Sequence, residues 1–516
     1  MATVKIGWGR RELSMEGPIF IPGQMYMRVS VGIHDPLYAT ALCLDGGTAH
    51  GAVIFCTMDM TSLRNTMDDV IARARELRPE IPEGSIIIGA THTHSAMQPL
   101  RYPSVAADGQ PLFPWEKVRA HVVEQTAQAI AEAWDSRRPG AIAYGYGYAV
   151  VAHSRRVVYF DDVSLRKPNA VSPNGHGVMY GNTNDSQFSH YEAGADHFLN
   201  ALYTLDEAGK LTGIVCNVPC PSQLSEHFNQ LSADFWCEVR EGVEQEFGRD
   251  VYLLAQCACA GDLSPRTLHY RGAQARRMHY KYDLGYNIDG YTFAPDVSSK
   301  EKIQGVASDN EYRKVMAERK DIAERILASL KEIWSWAQKD VQADVVIRHR
   351  TDTVPLAKRM ITDEEKQWCE QSVEKLANAI PTEGDPAKIV YAQTMYNSVK
   401  GRNESAVRRW NAQKDDPVKP TILHVVQVGE IAFASNPFEL YMDFQHRIQA
   451  RSPFIQTFLI ELAGDDGPST SYLATERGAA NKGYSASLFD NIVSAEGGQQ
   501  LVNYTVDVLN ELKASE

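Results

Sequence analysis

Ser85-Ile-Ile-Ile-Gly-Ala-Thr-His-Thr-His-Ser95 decides how this chain is read. Ile86, Ile87 and Ile88 are a β-branched apolar run of the kind that makes a buried strand. The run closes at Gly89-Ala90, and His92 and His94 follow one residue apart. In extended backbone, side chains two residues apart project to the same side, so both imidazoles would face one point. One of them can then bind a metal while the other faces whatever the metal holds. Working outward, Gly51-Ala-Val-Ile-Phe-Cys56 reads as a second buried strand, and residues 64–78 as an amphipathic helix stopped by Pro79 and Pro82. Strand, helix and strand, with histidines at the second strand's exit, is a parallel α/β unit with its chemistry at the carboxyl ends.

The rest of the chain extends that pattern. A helix is expected over 115–134, and Ala141-Ile-Ala-Tyr-Gly-Tyr-Gly-Tyr-Ala-Val-Val151 is a strand whose alternating Tyr and Gly imply close packing. It delivers His153-Ser-Arg-Arg156. Residues 165–197 read as a long polar loop. Leu199 to Leu205 and Leu211 to Val218 read as an antiparallel pair. Val251-Tyr-Leu-Leu-Ala255 is another buried strand, and it empties into Gln256-Cys-Ala-Cys-Ala-Gly-Asp-Leu-Ser-Pro-Arg266, which offers Gln256, Ser264 and Arg266 to a substrate. Residues 268–308, aromatic and basic, read as an inserted excursion or lid. A long helix follows over 309–339, with strand signals at 342–350 and helices at 362–379 and 403–412. A hairpin spans 422–434, a helix runs through about 450, and the last strong strand starts at Thr457. With no internal repeat or linker, the expected architecture is one large mixed-sheet α/β domain over 1–516 with helices packed on the sheet.

Composition bounds the function. The chain has 516 residues, of which 44% are hydrophobic, and a formal net charge of −13. That charge, without a Lys/Arg-rich run, excludes nucleic acid and anionic membrane surfaces as partners. No apolar stretch approaches the roughly 20 residues of a membrane span. Met1-Ala-Thr-Val-Lys-Ile-Gly7 has no apolar leader, and the eight cysteines form no CxxC pair. These features predict a reduced, cytoplasmic protein acting on a small molecule, and base rates for such enzymes predict a homo-oligomer.

Several strand-exit motifs taken together carry a resemblance. They are Gly32-Ile-His-Asp-Pro-Leu-Tyr38, Ala90-Thr-His-Thr-His-Ser95, Ser154-Arg155, Gly261-Asp-Leu-Ser-Pro265, the segment around Glu439, and Tyr472-Leu-Ala-Thr-Glu476 with Tyr484. From about residue 5 to 490 the chain resembles the catalytic domain of neutral, non-lysosomal ceramidases. The resemblance implies an α/β fold of that kind and a Zn2+ ion held by two His, a Glu and a Tyr, with zinc-activated water attacking an amide carbonyl. Carried onto this chain, it makes His92, Glu439 and Tyr472 metal ligands. His94, Arg155 and Tyr484 become the catalytic groups that orient substrate and stabilise the oxyanion. The family's second His falls where this chain has Asn217-Val-Pro-Cys-Pro221. His227 is preferred for that place, with the Cys220 thiolate as the alternative. The chain stops about thirty residues after Tyr484, so the family's C-terminal β-sandwich is not expected. The expected reaction is therefore hydrolysis of the amide bond of a small or polar N-acyl substrate rather than ceramide.

Two other functions stand beside this one. The aromatic and basic stretch 268–312 and the acidic, Asn-containing 181–196 suit sugars, which would make the chain a carbohydrate-active enzyme (a glycoside hydrolase or a polysaccharide or uronate lyase) on the same scaffold. The missing His would suit a binding scaffold that has lost its metal. Individual residues carry bland alternatives too: Asp262 and Ser264 as turn and cap residues, Arg155 and Arg156 as surface charges, Cys257 and Cys259 as core.

Overall fold

The computed structural model describes residues 4–47, 51–63, 65–166, 174–284, 309–377, 383–465 and 471–515. Its largest sheet has eight strands: β1 (Lys5–Glu12), β2 (Tyr38–Asp45), β3 (Ala52–Met58), β4 (Ile86–Ala90), β5 (Arg138–Tyr148), β6 (Phe198–Asp206), β7 (Leu211–Val218) and β8 (Tyr252–Cys257). The order across the sheet is β8-β7-β6-β5-β1-β2-β3-β4. It is mixed: β3 with β4 and β7 with β8 are parallel, and the other neighbours antiparallel. β1 and β5 share only the pairs Lys5–Pro139 and Ile6–Arg138, so the sheet splays there and curls until β8 packs near β3 and β4.

A second sheet of four strands, β9 (Ile347–Ala357), β10 (Val418–Val428), β11 (Ile431–Ser435) and β12 (Gln456–Ile460), lies in that order, with β11 and β12 parallel. Alternation along the strands shows how the two sheets stack. Leu42, Leu44, Val53, Phe55 and Ile87 point to one side and meet Val426, Val428, Phe433, Phe458 and Ile460 in one buried cluster. Phe433 stands 4.7 Å from Phe55 and 4.4 Å from Phe458 between ring centroids. Each such buried ring contributes about 1.5–3 kcal/mol. The alternate residues Ile54, Cys56, Met58, Ile86 and Ile88 face the other way. They pack with Val70 of α1 (Met67–Leu77), Val118 and Val122 of α2 (Trp115–Asp135), Val239 of α3 (Trp236–Glu246) and their neighbours.

The excursion read at 268–308 begins as α4 (Arg271–Tyr282), which is held on α5 (Asp309–Ala337) where Arg277 and Lys281 donate to Asp321 at 2.8 Å. Residues 285–308 lie outside the described residues. Helix α5 closes tightly on β5: a Cβ at Gly145 would stand 2.2 Å from the Trp336 ring, the close packing its Tyr/Gly alternation implied. The long loop of 165–197 contains strands at 177–179 and 188–191 that flank residues 156–159 in a small sheet. Residues 167–173 lie outside the described residues.

Helices α6 (Asp363–Ala377) and α7 (Pro386–Ala412) pack on each other. The sequence reading starts the second of these at 403. The Asp385 side chain accepts from the Ala387 amide, and Pro386 occupies the first turn, so the helix begins much earlier. The outer face of the second sheet is covered by α8 (Met442–Gln449) and, past α9 (Glu476–Asn481), by α10 (Ala495–Ala514), through Phe444, Leu501, Val502 and Leu509. The layers run helix, sheet, sheet, helix. The mixed sheet with helices on it agrees with the sequence reading, while the hairpin at 422–434 and the strand after it belong to a second sheet. Their strands are apolar on both faces, as β3 and β4 are, so patterning alone does not assign them to a sheet. No helix among the described residues is long and apolar enough to cross a membrane.

This stacking gathers one end of the molecule. The parallel pairs β3/β4, β7/β8 and β11/β12 send their carboxyl ends to the same region. There the loops interlock: the Glu461 amide donates to Cys257 O (3.1 Å), Gly464 N to Ile88 O (2.9 Å) and Ala258 N to Val218 O (3.0 Å).

Candidate active site

His92 lies at the exit of β4 and is only 1% exposed. Its φ of 65° is left-handed, so the extended geometry expected of His92-Thr-His94 does not hold. The two rings nevertheless stand side by side, 5.2 Å between centroids and 29° between planes. Each nitrogen of His92 faces a carboxylate. Nδ1 is 3.4 Å from Glu461 Oε1, and Nε2 is 3.5 Å from Glu439 Oε2. Glu461, at the end of β12, is fully buried. Its Oε2 accepts from Ala260 N (2.9 Å) and Leu440 N (3.1 Å), and its Oε1 accepts from Cys257 Sγ (3.2 Å). Burial holds the Glu461 carboxyl above its ordinary range, against the pull of His92 and the Ala260 amide.

Glu439 and Tyr472 are directly opposed in a short parallel pair, Glu439–Leu440 with Tyr472–Leu473. Arg155 joins them from the turn after His153–Ser154. Its Nη1 donates to Tyr180 Oη and Gln223 Oε1 at 3.2 Å each, and its Nη2 donates to Gly261 O at 2.9 Å and Tyr472 Oη at 3.4 Å. Nη2 also approaches Glu439 Oε2 to 3.6 Å. Gly261 is required here because a Cβ would stand 2.2 Å from the Glu439 carbonyl oxygen. Burial, with Glu439 and Tyr484 alongside, pushes the Tyr472 phenol well above its ordinary value, while Arg155 pulls it down. Tyr484 meets Tyr472 edge-on at 5.8 Å and is likewise pushed up by burial.

His94 sits beside this cluster. Arg155 can only donate, so it fixes the Gln223 amide with its oxygen toward the guanidinium and its nitrogen toward His94 Nε2, 2.9 Å away. The imidazole then accepts at Nε2 and carries its proton on Nδ1, which faces Glu226 Oε2 at 3.5 Å. Glu226 is pushed above its ordinary range by burial, opposed by Arg266, Arg28 and Arg155. Above these groups lies a cavity of about 580 Å³, within the size range of small-molecule sites. His94, Arg155, Gln223, Glu439, Tyr472 and Tyr484 line it, together with Arg402 of α7.

The residues singled out in the sequence divide in two. His92, His94, Arg155, Glu439, Tyr472 and Tyr484 come together, with His92 beneath the lining. His227 does not join them: its Nδ1 faces Tyr26 Oη at 3.3 Å and its Nε2 is 3.8 Å from Glu226 Oε1. The turn through 224–228 carries Glu226 inward and His227 to the side. Cys220 Sγ donates to Val151 O at 3.3 Å, and burial holds that thiol high. Gln223 stands on the cavity wall instead. Gln256 meets Asn217 (3.4 Å), Ser264 Oγ accepts from Arg266 N (3.2 Å), and Arg266 donates to Leu224 O (2.6 Å) beside Glu318. None of these three is among the described residues that line the cavity. Asp262 accepts from Met442 N at the start of α8, which is the cap reading. Arg155 and Arg156 are buried rather than surface charges. The second is locked to Glu192 by bonds of 2.7–3.0 Å. Gln223, Glu226, Glu461 and Arg402 carry no motif, although Glu461 is conspicuous as a charge inside Phe458-Leu-Ile-Glu-Leu462.

His92 lies between two groups of possible metal donors. The first is His92, Cys257 and Glu461, whose ligand atoms lie within 4.8 Å of one another, all buried. There burial and Glu461 both hold the thiol well above its ordinary value, and Glu461 already receives its hydrogen bonds. The second is His92 Nε2, Glu439 Oε2 and Tyr472 Oη, on the cavity side. Glu439 Oε2 is buried with no hydrogen-bond partner among the described residues. Its 3.5 Å from His92 Nε2 matches the roughly 3.3 Å edge of a tetrahedron with Zn–N and Zn–O bonds of about 2.0–2.1 Å. Behind it, Glu461 faces the other nitrogen of His92, as an orienting carboxylate does in metal sites. The His92 and Glu439 donors on this side have a spacing that fits a metal.

The stacked sheets and the gathered strand ends define a ceramidase-like α/β fold. The chain is similar over its whole length to the crystal structure of neutral ceramidase from Pseudomonas aeruginosa, with a TM-score of 0.63, 16% identity and 75% of that chain covered. It is also similar to a ceramidase structure described as complexed with C2, with a TM-score of 0.61, 16% identity, all of this chain covered and 76% of the other. No family model matches the chain's sequence, and no curated protein does.

Proposed function

We propose that the chain is a metal-dependent hydrolase that cleaves the amide bond of a small, polar N-acyl compound. The observation that carries this reading is the Glu439 carboxylate. One oxygen of that carboxylate is buried without a hydrogen bond among the described residues and stands 3.5 Å from His92 Nε2, a pair of donors suited to a cation between them. His92, Glu439 and Tyr472 would hold that ion, and Zn2+ suits their N and O donors. Held there, zinc would supply Lewis-acid polarisation of a carbonyl and a water with its pKa lowered to about 7.

The chain's own groups supply the rest. Glu461 fixes the orientation of His92 from behind. Arg155, its N–H groups held by Gly261 O, Tyr472, Tyr180 and Gln223, sets a fixed positive charge beside the negative charge growing on the carbonyl oxygen, and the Tyr484 hydroxyl offers a donor. Gln223, by donating to His94 Nε2, holds that imidazole against the cavity wall with its Nδ1 proton toward Glu226. The ceramidase-like fold supports the reaction class. The cavity supports the substrate: arginines and carboxylates line it, and Phe20, Pro22, Met25 and Met179 are few against a long acyl chain.

The test is elemental analysis of the purified protein, together with turnover of a panel of N-acetyl and longer N-acyl compounds with and without prior chelation. The expected result is about one zinc per chain, and hydrolysis of short N-acyl substrates that stops on chelation and returns with zinc. Full amidase activity after metal removal, or turnover of oligosaccharides alone, overturns the proposal.

A further inference from the structure

Helix α7 brings to the cavity a charge that the reaction above does not use. Along one winding stripe, at every fourth residue, it presents Val390 and Thr394 to a small cavity of about 180 Å³ lined by Met27, Val29 and Ala106. It then presents Ser398 and Arg402 to the catalytic cavity. The helix is docked through its second half onto the loop that carries Tyr484. Arg409 donates to Leu488 O (2.6 Å) and Asn491 O (3.2 Å), and Arg402 Nη2 donates to Asp490. Asp490 is itself fixed by Ser487 Oγ (2.5 Å). Its side chain is 4% exposed, so it anchors Arg402 from behind. The guanidinium lies 5.3 Å from the centre of the Tyr484 ring, one tyrosine away from Tyr472.

The other end of that guanidinium is unspent. Among the described residues, the only hydrogen-bonding contact of Arg402 Nη1 is Met25 Sδ at 3.9 Å, and a thioether is a weak acceptor. Besides Glu439, which the metal reading uses, the other charges on the wall are matched. Arg155 serves Tyr180, Gln223, Gly261 and Tyr472, and Glu226 receives Gln24 Nε2 (2.9 Å) and faces Arg266 (3.4 Å). An arginine anchored on one side by a buried carboxylate and presenting the other to a cavity is built to receive an anion.

We infer that the substrate carries a carboxylate beside its scissile amide, as an N-acyl-amino acid does, and that Arg402 is the residue that selects it. This rests on the amide-hydrolase reading of the same site. The experiment compares N-acetyl-L-alanine with N-acetyl-L-alaninamide on the zinc-loaded enzyme and on Arg402→Gln and Arg402→Lys. The wild type is expected to favour the carboxylate by about tenfold or more in kcat/KM, mainly through KM. Arg402→Gln should erase that preference and Arg402→Lys retain part of it. Because the readout is a ratio within one protein, loss of folded enzyme does not mimic it. Equal use of the two compounds by the wild type, or an unchanged ratio in Arg402→Gln, overturns the inference. If neither compound is hydrolysed, the amidase reading fails alone. Calorimetric binding of the same pair then decides: tighter binding of the carboxylate that Arg402→Gln abolishes upholds the anion site, and equal binding removes it.

Discussion

Glu461 and Glu439 flank one imidazole and live in opposite surroundings. Glu461 is wholly buried and receives two backbone amides and a thiol. Glu439, with its side chain 18% exposed, keeps one oxygen that no hydrogen bond from the described residues reaches. A saturated carboxylate holds a scaffold in place, whereas a hungry one costs stability and persists where a ligand or a reaction needs it. The pair of adjacent arginines repeats the lesson. Arg156 is closed by Glu192 and by the carbonyls of Tyr484 and Lys482, while Arg155 spreads its donors at 2.9–3.4 Å over four groups around the cavity.

The sharpest way to break this contrast is to exchange the two carboxylates for amides. Glu439→Gln should lose bound zinc and lower kcat/KM by about a thousandfold or more. The metal-free protein should unfold at about the wild-type temperature, because relief of the buried, hydrogen-bond-free oxygen is offset by loss of the ion pair with Arg155. Elemental analysis and thermal unfolding read both. A folded, zinc-loaded Glu439→Gln enzyme with wild-type turnover would end the assignment. Glu461→Gln should behave the other way round. Turning an amide N–H toward one of the peptide donors or toward Cys257 leaves a buried group unmatched, so stability should fall by roughly 1–3 kcal/mol. Zinc affinity should drop about 10–100-fold as His92 loses its orientation. Chelator competition measures that fall, and wild-type affinity in Glu461→Gln would show that His92 needs no support from behind.

Much of this was legible in the residues, and the rest was hidden for definite reasons. The parallel unit ending in His92 and the antiparallel pair at 199–218 follow from short apolar runs with clear breakers. Six side chains from five distant segments meet at the strand ends, where chemistry is expected in such folds. The second sheet was not legible because β10, β11 and β12 are buried on both faces and pattern like any central strand. Gln223 and Arg402 were not legible either. The first acts through the orientation that Arg155 forces on its amide. The second lies in a helix whose face toward the cavity is set by docking onto residues 488–491. His227 misled because a polar turn draws attention to all of its residues, while only Glu226 turns inward.

The smallest effect separates the two donor sets around His92. In the closed set, zinc would sit among His92, Cys257 and Glu461 and would need Cys257 as a thiolate. Burial and the neighbouring carboxylate oppose that charge. In the open set Cys257 serves as a donor, to Glu461 (3.2 Å) with Cys220 O also in reach (3.5 Å), a task a hydroxyl performs as well. Cys257→Ser should therefore keep about one zinc per chain and most of the turnover, with a stability change of about 1 kcal/mol or less from the altered volume and polarity. Loss of zinc from Cys257→Ser, with Glu439→Gln still loaded, would invert the comparison: Glu461 would be the ligand and Glu439 a wall residue, and the ion would lie behind the cavity where no substrate reaches it.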